Sequence, residues 1–216
     1  IEQARRLDGP VCLLDMGDNV GGGGPADSTW LAHALNRPGA PSALVCLCDP
    51  VAVTQCQTLG VNRAIRLEVG GHSGSLHGAP LNVNCAVLGF HDGHFSEPEQ
   101  RHGGFSQFDQ GRCAIVRTDA NLTLLINSHR MAPFSLAQIT SCGIDPWKFE
   151  ILVAKGVIAP MAAYQAVCKH FIRVNTPGVT TADLSQLTYH HRRQPLYPFE
   201  NECDWNAGSF GIADFT

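Results

Sequence analysis

Asp15, Asp18 and Asn19 stand just ahead of four successive glycines, Gly21, Gly22, Gly23 and Gly24, in the stretch DMGDNVGGGGPADST. Two carboxylates and an amide can fix the orientation of a ligand by hydrogen bonds. A glycine run costs backbone entropy, so plain connection is a poor reason for it. It lets the backbone pass close to another object and turn its N–H groups toward it. A phosphate is the usual occupant of such a turn. The segment Asp15–Thr29 contains Asp15, Asp18 and Asp27 and no Lys or Arg, so a phosphate would be repelled without a compensating cation. Neither the P-loop pattern nor G-x-G-x-x-G is met. The loop suits a ligand with N–H or O–H donors, a cation, or a polarised peptide group. The plainer alternative is a close crossing of two backbones with the aspartates as caps, and for Asp27 the cap is the favoured reading.

Two further segments can join this site. Gly70-Gly71-His72-Ser73-Gly74 follows an apolar run ending at Val69, and Lys155-Gly156 follows Phe149–Ala154. If both runs are strands parallel to Val11–Asp15, His72 and Lys155 open on the same sheet edge as the glycine loop. There Lys155 can neutralise the Asp18 region or bind a substrate carboxylate or oxyanion. Its alternative is a surface lysine lying along apolar neighbours. His91-Asp92-Gly93-His94, with Glu97 and His102 beyond it, holds metal-capable side chains, but without the helical H-E-x-x-H geometry it reads as a solvated loop. Tyr189-His190-His191-Arg192-Arg193 reads as a solvated or interface run. No Ser, Cys or Thr has an evident base beside it in sequence.

The elements that must position these residues are legible. Val11–Asp15 (VCLLD) is a buried strand, and Asp27 or Ser28 can cap a helix carrying Trp30, Leu31, Ala34 and Leu35. Ala43–Cys48 is a second strand. Asp49-Pro50 opens a helix that Gly60 ends, and Ala64–Val69 is a third strand. This β-α-β-α-β order is that of a parallel sheet with helices packed on it. In open α/β sheets ligands collect outside the carboxyl ends of the strands. Farther on, Leu81–Phe90 reads as a long strand, and Arg112–Thr118 with Leu122–Asn127 as a hairpin. Ser135 to Gln138 fits a capping box for a helix ending at Gly143, and Met161–His170 reads as another helix. The expected fold is α/β: a mixed, largely parallel sheet between helix layers, with a β-hairpin insertion. One domain is expected over 1–200, followed by a poorly ordered or extended tail over 201–216.

Bulk composition narrows the classes. The net charge is -4 over 216 residues, 44% of them hydrophobic, which gives no basic excess for nucleic acid. No apolar run approaches the ~20 residues that cross a bilayer. The nine cysteines include no C-x-x-C pair, so buried thiols in a reducing compartment outweigh a zinc knuckle. Cytoplasmic location is the default expectation. The opening Ile1-Glu2-Gln3-Ala4-Arg5-Arg6 reads as a helix entered midway, and thus as a piece of a longer protein.

Seven blocks in order, among them DMGDNVGGGGPADSTWL, GGHSGSLHGAPL, RHGGFSQFDQGRCAIV, LVAKGVIAPMAAY and HHRRQPLYPFE, resemble the C-terminal region of the MlrC-like (microcystinase C) metallopeptidases. The resemblance runs to about Glu200. It implies a two-domain zinc peptidase or amidohydrolase, in which a metal-activated water attacks a peptide or amide carbonyl. Its zinc ligands, a Glu, an Asp-x-His pair and a further His, belong to an N-terminal domain. No block here matches them, so zinc is expected for the longer enzyme and no metal ligand is assigned in this chain. The implied partners are that N-terminal domain and a peptide or amide substrate. The chain by itself is expected to be inactive. Asp18 and Asn19 are then expected to position substrate for catalysis, with Asp15, Gly21 to Gly24, His72 and Lys155 lining its binding surface. Lys155-Gly156 stands where other branches of the family have Lys-Ser, and Ala159-Pro160 where they have His-Phe, a departure that counts against the cyclic-peptide toxin substrates of its best-known members. The competing readings are a non-catalytic anion- or metabolite-binding α/β module and a structural interaction domain.

Overall fold

The computed structural model describes residues 1–99, 101 and 103–200. Ile1–Asp183 form one unit and the residues from Leu184 onward a second. The first unit holds β1 (Val11–Asp15), α1 (Trp30–Leu35), β2 (Ala43–Cys48), α2 (Pro50–Leu59), β3 (Ala64–Val69), β4 (Leu81–His91), β5 (His94–Ser96) and β6 (Gln107–Asp109). It continues with β7 (Cys113–Thr118), β8 (Leu122–Asn127), α3 (Ala137–Thr140), β9 (Ile151–Ala154), α4 (Met161–Tyr164) and β10 (His170–Val174).

Eight strands make one sheet in the order β10-β1-β9-β2-β8-β7-β4-β3, and β5 and β6 form a separate antiparallel pair. From β10 to β8 neighbouring strands run parallel, and from β8 to β3 they run antiparallel. The fold is therefore the expected α/β class with a mixed, largely parallel sheet. The two hairpin strands, β7 and β8, are integral to it, since β8 also pairs with β2. β1, β8 and β9 are buried along their whole lengths, as central strands covered on both faces must be.

Alternation along each strand divides the interior. Leu13, Val45, Leu124 and Val153 face one core with Leu31, Leu35, Ala52 and Val53 of α1 and α2. Leu14, Leu44, Leu125 and Leu152 face the other with Ile139, Ala163 and Tyr164 from the α3 and α4 side. The period of two residues sends successive side chains to opposite layers.

α2 follows its sequence signals closely. Asp49 accepts from Ala52 N–H at 2.9 Å, proline opens the first turn, and Gly60 leaves the helix at φ 90°. Other elements depart from expectation. Helical patterning over Met161–His170 yields only α4, and His170 starts β10, because parallel pairing of Val11 with His170 recruits that segment into the sheet. The Ser135 helix likewise shrinks to α3, with the Ser135 hydroxyl accepting from Ala137 N–H at 3.0 Å. β3 is not parallel to β1. It pairs with β4 alone, at the far end of the sheet. The segment read as a solvated loop around His91–His94 and Glu97 contains β5, which pairs with β6 and is joined to it by stacked Phe95 and Phe108 rings 5.0 Å apart.

In the second unit Arg192 pairs with Glu200 and lies over the Phe199 ring at 4.5 Å. The tail expected over 201–216 lies outside the described residues, as does His102. No described helix is long and apolar enough to cross a membrane.

Candidate functional site

Five parallel strands end on one edge of the sheet, and the candidate residues gather there. β1 and β9 are neighbours in register Leu14 to Ala154. The next residue of each strand, Asp15 and Lys155, therefore leaves the sheet side by side. Lys155 Nζ lies 3.1 Å from Asp15 Oδ2 and 2.9 Å from Asp18 Oδ2, and it donates to the Ser28 carbonyl at 2.8 Å. Three acceptors meet the three protons of the ammonium group. Lys155 is 4% exposed, and Asp15 and Asp18 are fully buried, so Lys155 is an interior cation rather than a surface lysine.

On the other side of β1, Thr176 follows β10. Its hydroxyl donates to Asp15 Oδ1 and accepts from Gly17 N–H at 3.0 Å. Asp18 also organises the loop: Oδ1 accepts from Ala26 N–H and Oδ2 from Ser28 N–H, both at 2.8 Å. Burial alone pushes the Asp18 carboxyl up, but Lys155 and the two backbone donors outweigh it and hold the carboxyl below the usual carboxylate range. For Lys155 burial pulls downward, and Asp15 and Asp18 reverse it, so the ammonium is held above the ordinary lysine value.

The glycines divide by task. A Cβ on Gly17 would sit 2.3 Å from the Thr176 carbonyl oxygen, and one on Gly24 would sit 2.6 Å from Asp18 Oδ1. Those two positions need glycine for close approach. Gly21, Gly22 and Gly23 are exposed. Asn19 sits between these groups. Its N–H donates to Thr180 Oγ1 at 2.7 Å, and its carbonyl accepts from the N–H groups of Gly22 and Gly24, each at 2.9 Å. Its half-buried side-chain amide makes no hydrogen bond among the described residues.

The Gly70–Gly78 loop reaches this edge by an unexpected route. β3 lies four places from β2 in the sheet, yet Gly70 N–H donates to Asp49 Oδ2 at 3.0 Å. The sheet must curl around α2 for these groups to meet. Asp27 does not cap α1, whose N-cap is Thr29. Its Oδ2 instead accepts from the N–H groups of His72 and Ser73, at 2.9 and 2.8 Å, joining the two loops. The His72 ring is half-exposed, with Nε2 3.3 Å from Asp49 Oδ2.

Sequence reasoning passed over Thr176, Thr180 and His77, and read Ser28 only as a possible helix cap. The signal for Thr176 was its place just past an apolar run, at the same edge as Asp15. Nothing local marked the others. A narrow cavity beside Lys155 is lined by Ala26, Cys46, Asn127, Gln138 and Tyr164. A wider opening of about 720 Å³ lies elsewhere, lined in part by Phe90, His91, Asp92, His94, Asp109 and His129. The loop histidines thus edge a concavity, separate from the glycine loop. All eight described cysteines are free thiols.

Relatives carry the same framework. Microcystinase C from Sphingomonas sp is 27% identical over 192 residues, covering 88% of this chain and 36% of its own length. The crystal structure of a "Putative metallopeptidase" from Mesorhizobium sp. BNC1 superposes with a TM-score of 0.81 at 26% identity, covering 95% of this chain and 40% of that one. The chain thus spans well under half the length of each. Residues 13–191, from β1 through the Lys155 and Thr176 positions, match the family described as MlrC C-terminus, and the chain belongs to that family.

Proposed function

We propose that this chain is the cleft-forming C-terminal domain of a zinc-dependent peptidase or amidohydrolase whose catalytic metal is held by an N-terminal domain. The observation that carries the reading is the pairing of a rigid interior with an open rim. Asp15, Lys155 and Asp18 lock the loop from within, while the free Asn19 amide and the exposed Gly21, Gly22 and Gly23 face outward. This rim offers hydrogen-bonding groups to a substrate backbone.

In such an enzyme the metal supplies the hydrolytic nucleophile and polarises the scissile carbonyl. This chain's residues do the rest on their side of the cleft. Asn19 hydrogen-bonds the substrate backbone, and the side-chain-free rim lets an extended peptide approach. Asp18, fully buried, acts through the loop as a positioning residue. Lys155 and the backbone N–H groups of Ser28 and Ala26 favour the ionised form of that carboxylate. His72 stands at the margin, on the loop that Asp27 anchors.

The test uses the full-length protein and a panel of peptides and amides. Asn19→Ala is expected to lower kcat/KM by on the order of 10²-fold with an unchanged melting temperature. A wild-type rate for that variant on every hydrolysed substrate would remove the glycine rim from the mechanism. A full-length protein that hydrolyses nothing in the panel with zinc supplied would overturn the peptidase reading.

A further inference from the structure

Behind the loop lies a second group of side chains that the proposed cleft does not use. Asp27 Oδ1, Ser28 Oγ and both ring nitrogens of His77 are buried without a hydrogen-bond partner. Asp27 is 4% exposed, and Ser28 and His77 are 1% exposed. Buried polar groups are nearly always paired, and a fully buried imidazole with neither nitrogen engaged is a marked exception. One ligand atom from each of Asp18, Asp27 and His77 lies within 4.8 Å of the other two.

Charge points the same way. Among the described residues the buried carboxylates Asp15, Asp18, Asp27 and Asp49 gather at this edge with one buried cation, Lys155, which pairs with Asp15 and Asp18. The carboxylates outnumber the cation, and a bound cation would offset the excess negative charge. The neighbouring Asp49 is already engaged by the α2 N-terminus, Gly70 and His72.

We propose that Asp18, Asp27 and His77 bind one divalent transition-metal ion, with Ser28 Oγ beside it. An imidazole nitrogen with two carboxylates suits zinc, cobalt or manganese, whereas magnesium and calcium prefer all-oxygen shells. A tetrahedral shell with bonds of about 2.0–2.2 Å sets ligand atoms about 3.4 Å apart, so loading draws together groups that lie within 4.8 Å of one another. Outer contacts hold the Asp27 carboxylate and the His77 backbone. Asp27 Oδ2 accepts from His72 and Ser73, and the His77 carbonyl accepts from Thr29 N–H at 2.9 Å. Such supports orient metal ligands. The site is closed to solvent, so the ion is structural. It clamps the glycine loop to the Gly70–Gly78 loop.

The test is binding to the metal-free 216-residue chain, with cobalt as an optical probe and zinc, manganese and magnesium in parallel. The free thiols are the competing ligands, and a cobalt–thiolate site announces itself by a charge-transfer band. The expected result is one ion per chain, a cobalt spectrum without that band, and a melting temperature raised by about 5 °C or more at a hundredfold excess over Kd. Magnesium should give no rise. Asp27→Asn and His77→Phe should abolish both the ion and the rise, while His94→Ala on the exposed β5 keeps both. Absence of stoichiometric binding by the wild-type chain overturns the proposal whether or not any variant folds. A thiolate band, or retention of the ion in folded Asp27→Asn or His77→Phe, overturns it as well. Because the readout is metal content and not turnover, the outcome is independent of the Asn19 assay.

Discussion

Lys155 Nζ sits 2.9 Å from Asp18 Oδ2, in a part of the protein where both side chains are almost wholly out of solvent. The contact joins the end of β9 to the turn after β1 and makes the glycine loop a rigid shelf. Two carboxylates depend on this one ammonium group, so the cluster is highly asymmetric to perturbation.

Lys155→Met should therefore destabilise strongly. It leaves Asp15 and Asp18 buried without their cation, and breaking a buried pair in this way costs about 3–5 kcal/mol. Urea unfolding would measure it. The triple variant Lys155→Met, Asp15→Asn, Asp18→Asn should recover part of the loss, because it removes the uncompensated charges along with their partner.

The same cluster sets a pH window. Asp18 is held below the usual carboxylate value, so its contribution is complete above about pH 4 and is lost as pH falls through its depressed value. Lys155 is held above the usual lysine value, so its contribution is complete below about pH 10 and is lost as pH rises through its elevated value. Stability contributed by the pair should be flat between these limits. In Lys155→Met the upper limb should vanish, which thermal unfolding across pH would reveal.

Glycine substitutions should separate buried from exposed positions. Gly17→Ala drives a methyl to 2.3 Å from one backbone oxygen and 2.4 Å from another, so a loss of about 2–3 kcal/mol is expected. Gly21→Ala meets the Phe134 side chain at 3.1 Å and the Asn19 side chain at 3.6 Å, with no backbone atom as close, and the change should stay within about 1 kcal/mol. Equal losses at the two positions would show that the loop is not anchored as described.

Thr176→Val removes the donor to Asp15 and the acceptor for Gly17 N–H while keeping the shape. A loss of about 1–3 kcal/mol is expected from the unsatisfied buried groups. Thr176→Ser keeps the hydroxyl and should restore most of it, as denaturant midpoints would show.

The sequence by itself determined the local vocabulary. The apolar runs VCLLD and ALVCLC, the Asp49-Pro50 start and Gly60 stop of α2, and the glycine run after β1 are short-range signals, and each produced the expected element. It also placed Asp15, Asp18 and Lys155 at strand ends where a parallel sheet brings them together. What only the tertiary structure decided was which groups meet. Thr176 reaches Asp15 across 161 positions because β10 pairs beside β1. Asp27 turns from a helix cap into a bridge between loops because the curled sheet returns His72 and Ser73 to it. His77 is buried against the same carboxylates for that reason. Such meetings depend on strand order and sheet curvature, which arise from packing summed over many residues, and no local pattern of residue types encodes them.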